Sequence, residues 1–317
     1  MYHYRLYGLA TASQILIPDA ESAVPDSDVP LVSGEADVSI ALGDVPADWA
    51  DDPGTVKLTD DWCFLASPGR FLMDCQGFRF DISGGSQITV DLNGLPIEGS
   101  HLHTYILGSA FGVVCLQRGL LPIHGAAVET DQGTAIIITG HTGSGKSAIL
   151  SALVDQGRRY LSDDVTVVSM KSGAPTALPA YPQRKIAAQT VEERSVSLAG
   201  AIPIHEDGRD KFAIRNTSEW AGEALPLAAM VELRPVKREG EPYFTPEVKK
   251  ITGHASLDLL MRNLYRRRFW ESIGLPPERM KQLLEIASAT NMYQVIRPAE
   301  GFPVDDTAML IAEKCFV

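Results

Sequence analysis

The sequence predicts an α/β protein in which a domain over residues 106–317 follows a smaller β-rich N-terminal domain over residues 1–105. Three observations carry that prediction. Residues before 105 read as short alternating strands divided by Gly, Ser, Asn and Asp. Residues 104–117 change to helical spacing. Residues 134–156 then run from an apolar strand through a glycine-rich loop into a helix.

In the N-terminal part, residues 37–42 alternate polar and apolar side chains as a half-buried strand does. Residues 71–73, 78–82 and 87–91 read the same way, and residues 18–34, rich in Pro, Asp and Ser, read as a surface loop. Ile106, Leu107, Ala110, Phe111, Val114 and Cys115 recur at helical spacing, and Arg118-Gly119 closes that helix. It reads as the junction between the domains.

Beyond it come strands over 123–129 and 134–139 joined by a turn, then a helix over 146–156 capped by Gly157. Residues 160–170 read as one strand with a polar centre. Helices are expected over 256–270 and 277–288, with a strand over 293–297.

Composition narrows the function classes. Of 317 residues 45% are hydrophobic and 21% charged, as in a globular protein with a full core. The net charge is −12, which disfavours a protein that tracks nucleic acid through its phosphates. Cys63, Cys75, Cys115 and Cys315 have no zinc-ligand spacing and read as free thiols in a reducing compartment. The N-terminus lacks a basic, apolar leader, and no apolar run approaches the ~20 residues that span a bilayer. The expectation is a cytoplasmic chain with no membrane and no nucleic-acid partner.

The chemistry is concentrated in one loop. Gly140-His141-Thr142-Gly143-Ser144-Gly145-Lys146-Ser147 matches the Walker A pattern G-x-x-x-x-G-K-[ST]. Glycines let the backbone curl so that N–H groups face phosphate oxygens, and the following helix adds its positive end. Lys146 would neutralise phosphate charge, and the Ser147 hydroxyl would bind Mg²⁺. The competing reading is a glycine-rich turn. The apolar strand at 135–139 and the apolar helix face of Ala148, Ile149, Ala152 and Leu153 decide for a nucleoside triphosphate.

Asp163-Asp164 follows one helix and one turn later. Beside a phosphate loop, such carboxylates can hold a metal or accept a hydroxyl proton. Elsewhere the same pair would be a solvated turn. On one strand the two would point to opposite faces, so only one is expected to meet the phosphates. His124, at a strand start, reads as either a structural histidine or a member of the site.

These residues, in this order, resemble the C-terminal catalytic domain of the HPr kinase/phosphorylase family. Residues 123–128, 138–147 and 157–164 carry the resemblance, which extends over about 118–170. It implies an HPr-kinase-like P-loop domain using ATP and Mg²⁺. Gly140 to Ser147 would hold the triphosphate, and Lys146 would stabilise the transferred phosphoryl group. Ser147 would bind Mg²⁺, Asp164 would be the base that deprotonates an acceptor serine, Asp163 would support the metal or the base, and His124 would stand beside that site.

The chain departs from that family in two places. Its N-terminal region does not resemble the family's own, so no oligomeric state carries over. The Glu-Arg-Gly-Leu-Gly-type segment is absent, and residues 179–186 stand in its place, with Gln183 where a metal-binding glutamate would be expected. Neither a second metal ligand nor a phosphorylase activity follows from the resemblance. Arg184 and Lys185 read as phosphate or substrate contacts, or as a solvated turn. With the opening residues 4–9, the pattern resembles HPr-kinase-like proteins of peptide biosynthesis clusters, some of which phosphorylate a serine of a lasso-peptide precursor.

The expected activity is transfer of the γ-phosphoryl group to a serine of a peptide or protein. The alternatives are a nucleotide-sensing module without transfer and a kinase for a small alcohol. Two further features stay open. Arg262 and Arg266, on one face of the helix expected over 256–270, read as a solvated face or a docking surface. Residues 205–211 read as a hairpin turn or a lid, with Lys211 and Arg215 as candidates for contact.

Overall fold

The computed structural model describes residues 1–20, 36–67, 69–98, 101–194, 196, 198, 201–206, 209–241, 243–301 and 303–316. The fold is mixed α/β. The N-terminal strands are β1 (Tyr2–Leu6), β2 (Leu9–Ser13), β3 (Val38–Leu42), β4 (Val56–Thr59), β5 (Trp62–Ser67), β6 (Arg70–Cys75), β7 (Phe78–Ser83) and β8 (Gln87–Asp91). Then come α1 (Leu102–Thr104), a π-helical stretch (Tyr105–Ala110) and α2 (Phe111–Gln117).

Next are β9 (Leu121–Glu129), β10 (Ala135–Thr139), α3 (Lys146–Asp155), β11 (Tyr160–Ser162), β12 (Val165–Ser169), β13 (Thr176–Leu178) and β14 (Gln183–Ala187). They are followed by α4 (Ala188–Arg194), β15 (Ile202–Glu206), β16 (Arg209–Arg215), β17 (Leu225–Val236) and β18 (Glu247–Ile251). The chain ends with α5 (His254–Arg262), α6 (Arg267–Ile273), α7 (Pro277–Ala289), β19 (Asn291–Pro298) and α8 (Val304–Cys315).

Contacts divide the chain into two compact units, 1–122 with 266–277, and 123–265 with 278–317. The sequence reading placed the division at 105/106. It falls later because the helix after β8 is anchored to the N-terminal strands. The Tyr7 ring lies 5.9 Å from that of Phe111. The wider hydrogen-bond spacing of the π stretch also lets the Leu107 carbonyl accept the Tyr7 hydroxyl at 3.0 Å.

The first unit is built on one sheet of order β1-β2-β3-β8-β7-β6-β5-β4. Alternation along β7 buries Phe78, Phe80 and Ile82 on one face. Phe269, from a segment far along the chain, packs edge-on against Phe64 and Phe71 in that core. Burying each such ring contributes roughly 1.5–3 kcal/mol. The loop read over 18–34 lies outside the described residues apart from a short 3-10 turn at Pro18–Ala20.

In the second unit, strand pairings run in a circuit from β10 through β9, β12, β13 and β17 back to β10, with β19 and β18 extending from β17. β10, β17 and β19 are parallel neighbours. A Cβ on Gly125 would stand 2.7 Å from the Ile138 carbonyl, so glycine permits the close approach of β9 to β10. The core joins Ile136, Ile138 and Val231 of the strands to Ile149, Leu150 and Leu153 of α3 and Ile311 of α8. A second, three-stranded sheet, β14-β16-β15, belongs to the same unit.

Two expectations are corrected. The strand read over 160–170 breaks into β11 and β12, because Asp164 adopts φ 72 between them. The helix read over 256–270 breaks into α5 and α6, with Arg266 at φ 51. Arg262 and Arg266 therefore do not share a helix face. Arg262 pairs with Glu232, while the Arg266 guanidinium lies 4.4 Å from the Trp62 ring centroid. No helix among the described residues is long and apolar enough to cross a membrane.

Candidate functional site

The site grows from the end of β10. Its five residues are fully buried, so the chain leaves the core abruptly at Gly140. Gly140 has φ 136, and a Cβ there would meet the Leu233 carbonyl and Ser144 Oγ at 2.7 Å. Only glycine fits that turn. His141, Thr142 and Gly143 are exposed, Ser144 is buried, and Gly145, at φ 97, opens α3. The Gly143 and Gly145 N–H groups have no acceptor among the described residues. Donors at a helix N-terminus attract anions.

Lys146 and Ser147 form the first turn of α3. The Lys146 ammonium folds back to donate to the carbonyls of Gly140 (2.9 Å) and His141 (3.3 Å) and lies 3.0 Å from His124 Nε2. Nε2 therefore accepts, which leaves the proton of a neutral imidazole on Nδ1. That nitrogen lies 3.5 Å from Asp164 Oδ1. His124 thus links the glycine-rich loop to the acidic pair.

Its place is secured from both sides. The His124 N–H donates to the Asn263 carbonyl at 2.9 Å. The His124 carbonyl accepts from the Thr139 hydroxyl at 2.7 Å.

Buried hydroxyls flank the acidic pair. Ser162 and Thr166, on either side of it, share a 2.6 Å hydrogen bond, and Thr166 donates to the Gly125 carbonyl at 2.9 Å. The Gly125 N–H in turn donates to the Asp164 carbonyl. The left-handed backbone at Asp164 interrupts strand alternation, so Asp163 and Asp164 line the same cleft. The expectation that only one would face it is corrected by this turn.

The two carboxyls differ in environment. Burial pushes Asp163 up from its usual value, opposed by the Lys185 N–H that it accepts at 2.7 Å. Burial also acts on Asp164. Lys185, His124, Lys211 and Lys146 outweigh it and hold that carboxyl down to about 2. The Lys185 ammonium lies 3.5 Å from Asp164.

The cleft has a volume of about 520 Å³. Its lining includes His124, Thr142, Gly143, Gly145, Lys146, Ser147, Asp163 and Asp164 from the sequence-derived set. Gly140, His141 and Ser144 belong to the loop but lie outside that lining. Lys185 and Lys211 join the lining. Arg184 turns away, is buried, and pairs with Glu219 at 2.7 Å. Gln183, where a metal-binding glutamate was expected, is buried on β14 and lies outside the lining. The hairpin read over 205–211 is β15 paired with β16, and its tip at 207–208 lies outside the described residues.

Sequence reasoning missed Arg297 and Glu300, which also line the cleft, because each sits where an apolar strand ends with no motif around it. It also missed Glu232. That carboxylate accepts from Arg262 (2.6 and 2.7 Å), Asn263 (3.0 Å) and Gln294 (2.7 Å), and it faces Thr139 in the β10–β17 register. A single glutamate in an apolar strand gave the only signal. Among the described residues, no group of three or more His, Cys, Asp or Glu converges as a metal cage. A divalent cation here would need oxygens from a bound phosphate in addition to Ser147 and Asp163.

No family model matches the chain, and no curated protein matches it. Among solved structures it is similar to the Hpr(Ser) kinase/phosphatase from Coxiella burnetii, with 14% identity and a TM-score of 0.29 over 61% of this chain and 91% of that one.

Proposed function

We propose that this chain is an ATP-dependent serine kinase that transfers the γ-phosphoryl group to a serine hydroxyl of a peptide or protein. The observation that carries the reading is the convergence of Lys146, Ser147, Asp163, Asp164 and His124 on one cleft at the mouth of a glycine-rich loop. The acceptor class follows from the resemblance to HPr-kinase-like proteins, and a lasso-peptide precursor is its most specific form.

The residues divide the work. N–H groups of the Gly140–Ser147 loop bind the phosphates. The Lys146 ammonium exchanges its loop carbonyls and His124 for phosphate oxygens. Ser147 and Asp163, both hard oxygen donors, would hold Mg²⁺, which supplies neutralisation of phosphate charge.

Asp164, ionised at neutral pH, orients the serine hydroxyl and receives its proton as the oxygen attacks the γ-phosphorus. The bond from γ-phosphorus to the bridging oxygen breaks, and ADP leaves with that electron pair. His124 keeps Asp164 in place through its Nδ1–H.

A second reading, a nucleotide-sensing module without transfer, has one observation in its favour. Lys185 and His124 already engage the Asp164 carboxylate. Labelled ATP with Mg²⁺ and serine peptides separates the two. Transfer by the native chain, lost in Lys146→Met and Asp164→Asn, supports the kinase. ATP binding without labelling of any acceptor would instead select the sensing module, and Asp164→Asn labelling as well as native would remove Asp164 from the chemistry.

A further inference from the structure

We infer that Arg297 is a positioning residue that holds the Gly140–Ser147 loop in its phosphate-accepting form. The inference rests on the proposed reading of that loop as a nucleotide site.

Arg297 lies near the C-terminal end of β19 and is 3% exposed. Its Nε and Nη2 both donate to the Ser144 carbonyl, at 2.9 and 2.5 Å, and Nη1 donates to the Pro298 carbonyl at 2.6 Å. The grip on Ser144 bridges 153 positions of sequence.

The consequence follows from peptide geometry. In a trans peptide the C=O and the next N–H point in opposite directions. With the Ser144 carbonyl drawn to Arg297, the Gly145 N–H is turned the other way, and Gly145 lines the cleft. Gly145 sits at φ 97, where a peptide next to glycine can rotate at little cost, so its orientation needs an outside anchor. Ser144 Oγ, buried and without a hydrogen-bond partner among the described residues, does not hold the peptide either.

Gly140 and His141 carbonyls are held by Lys146 in the same way. Lys146 releases those two carbonyls when it turns to the phosphates, whereas the Arg297 grip on Ser144 stays in place. Burial lowers the Arg297 guanidinium only to about 10, so it stays charged at neutral pH. A lysine would keep the charge but not the two-pronged grip on one oxygen.

The test uses the full chain, with calorimetric titration by ATP and by pyrophosphate for native protein, Arg297→Lys and Arg297→Gln. Expected is a loss of affinity of about tenfold or more for both ligands in Arg297→Lys, from lost preorganisation. The rate at saturating ATP should change less than about threefold, so that KM carries the effect. Binding by Arg297→Lys within about twofold of native would overturn the inference alone. A native chain that binds neither ligand would instead overturn the nucleotide reading and this inference with it.

Should the variants not fold, native protein with ¹⁵N-labelled arginine and glycine gives the answer by NMR. Slow solvent exchange of the Arg297 Nε–H, with a Gly145 amide that shifts on adding pyrophosphate, supports the inference. Rapid exchange of that proton, or an unmoved Gly145 amide, overturns it.

Discussion

Replacing Asp164 with Asn tests stability, pH response and transfer at once. The carboxyl is held at about 2 against its usual 3.8. At ~1.36 kcal/mol per pH unit, a depression of nearly two units gives at most ~2.4 kcal/mol favouring the charged form. The side chain is 33% exposed. Solvent screening brings the contribution to about 1 kcal/mol.

The sign follows from linkage. A depressed folded-state pKa contributes stability above the unfolded value of 3.8, and that stability is lost as pH falls towards about 2. Asp164→Asn should therefore melt about 2–4 °C lower than native at pH 7. The difference should close as the pH is taken below 3.8. Thermal denaturation followed by circular dichroism at several pH values reads both. In the same variant, transfer should fall about 10²–10⁴-fold while ATP still binds. A variant as stable as native or more so at pH 7 would refute the claim that the four basic groups are satisfied by this carboxylate.

Three further outcomes are expected. Gly140→Ala should cost about 1–3 kcal/mol in urea unfolding and abolish ATP binding, since its Cβ meets the Leu233 carbonyl and Ser144 Oγ at 2.7 Å. Glu232→Ala should destabilise by about 2–4 kcal/mol, because Asn263 and Gln294 stay buried without their acceptor, although Arg262 can turn to solvent. Tyr7→Phe should cost about 1 kcal/mol in the first unit by leaving the Leu107 carbonyl without its hydroxyl donor. A native-like urea midpoint in any of the three would contradict the role given to that contact.

What the sequence determined by itself is local. The run Ala135–Thr139, the glycines at 140, 143 and 145, and the apolar face of α3 specify strand, turn and helix through nearest neighbours alone. The glycine-rich turn between strand and helix was therefore readable from adjacent residues. The same holds for the alternating strands of the first unit, whose period of two reports burial on one face.

Tertiary structure decided everything that depends on distant partners. The turn at Asp164 is stabilised by Gly125, Ser162 and Thr166 around it, and it brings both carboxylates into one cleft against the alternation that local sequence implies. Lys185 became a site residue, and Arg184 a buried structural one, only because β14 pairs with β16 and so presents alternate faces. Residues 266–277 joined the first unit because the break at Arg266 lets Phe269 reach Phe64 and Phe71. Arg297 lies 153 positions from the carbonyl it grips, and no periodicity or motif spans that distance. The glycine-rich loop is thus written in adjacent residues, whereas the charged side chains that join it at the cleft come from strand order, a contact-level property that a linear reading does not contain.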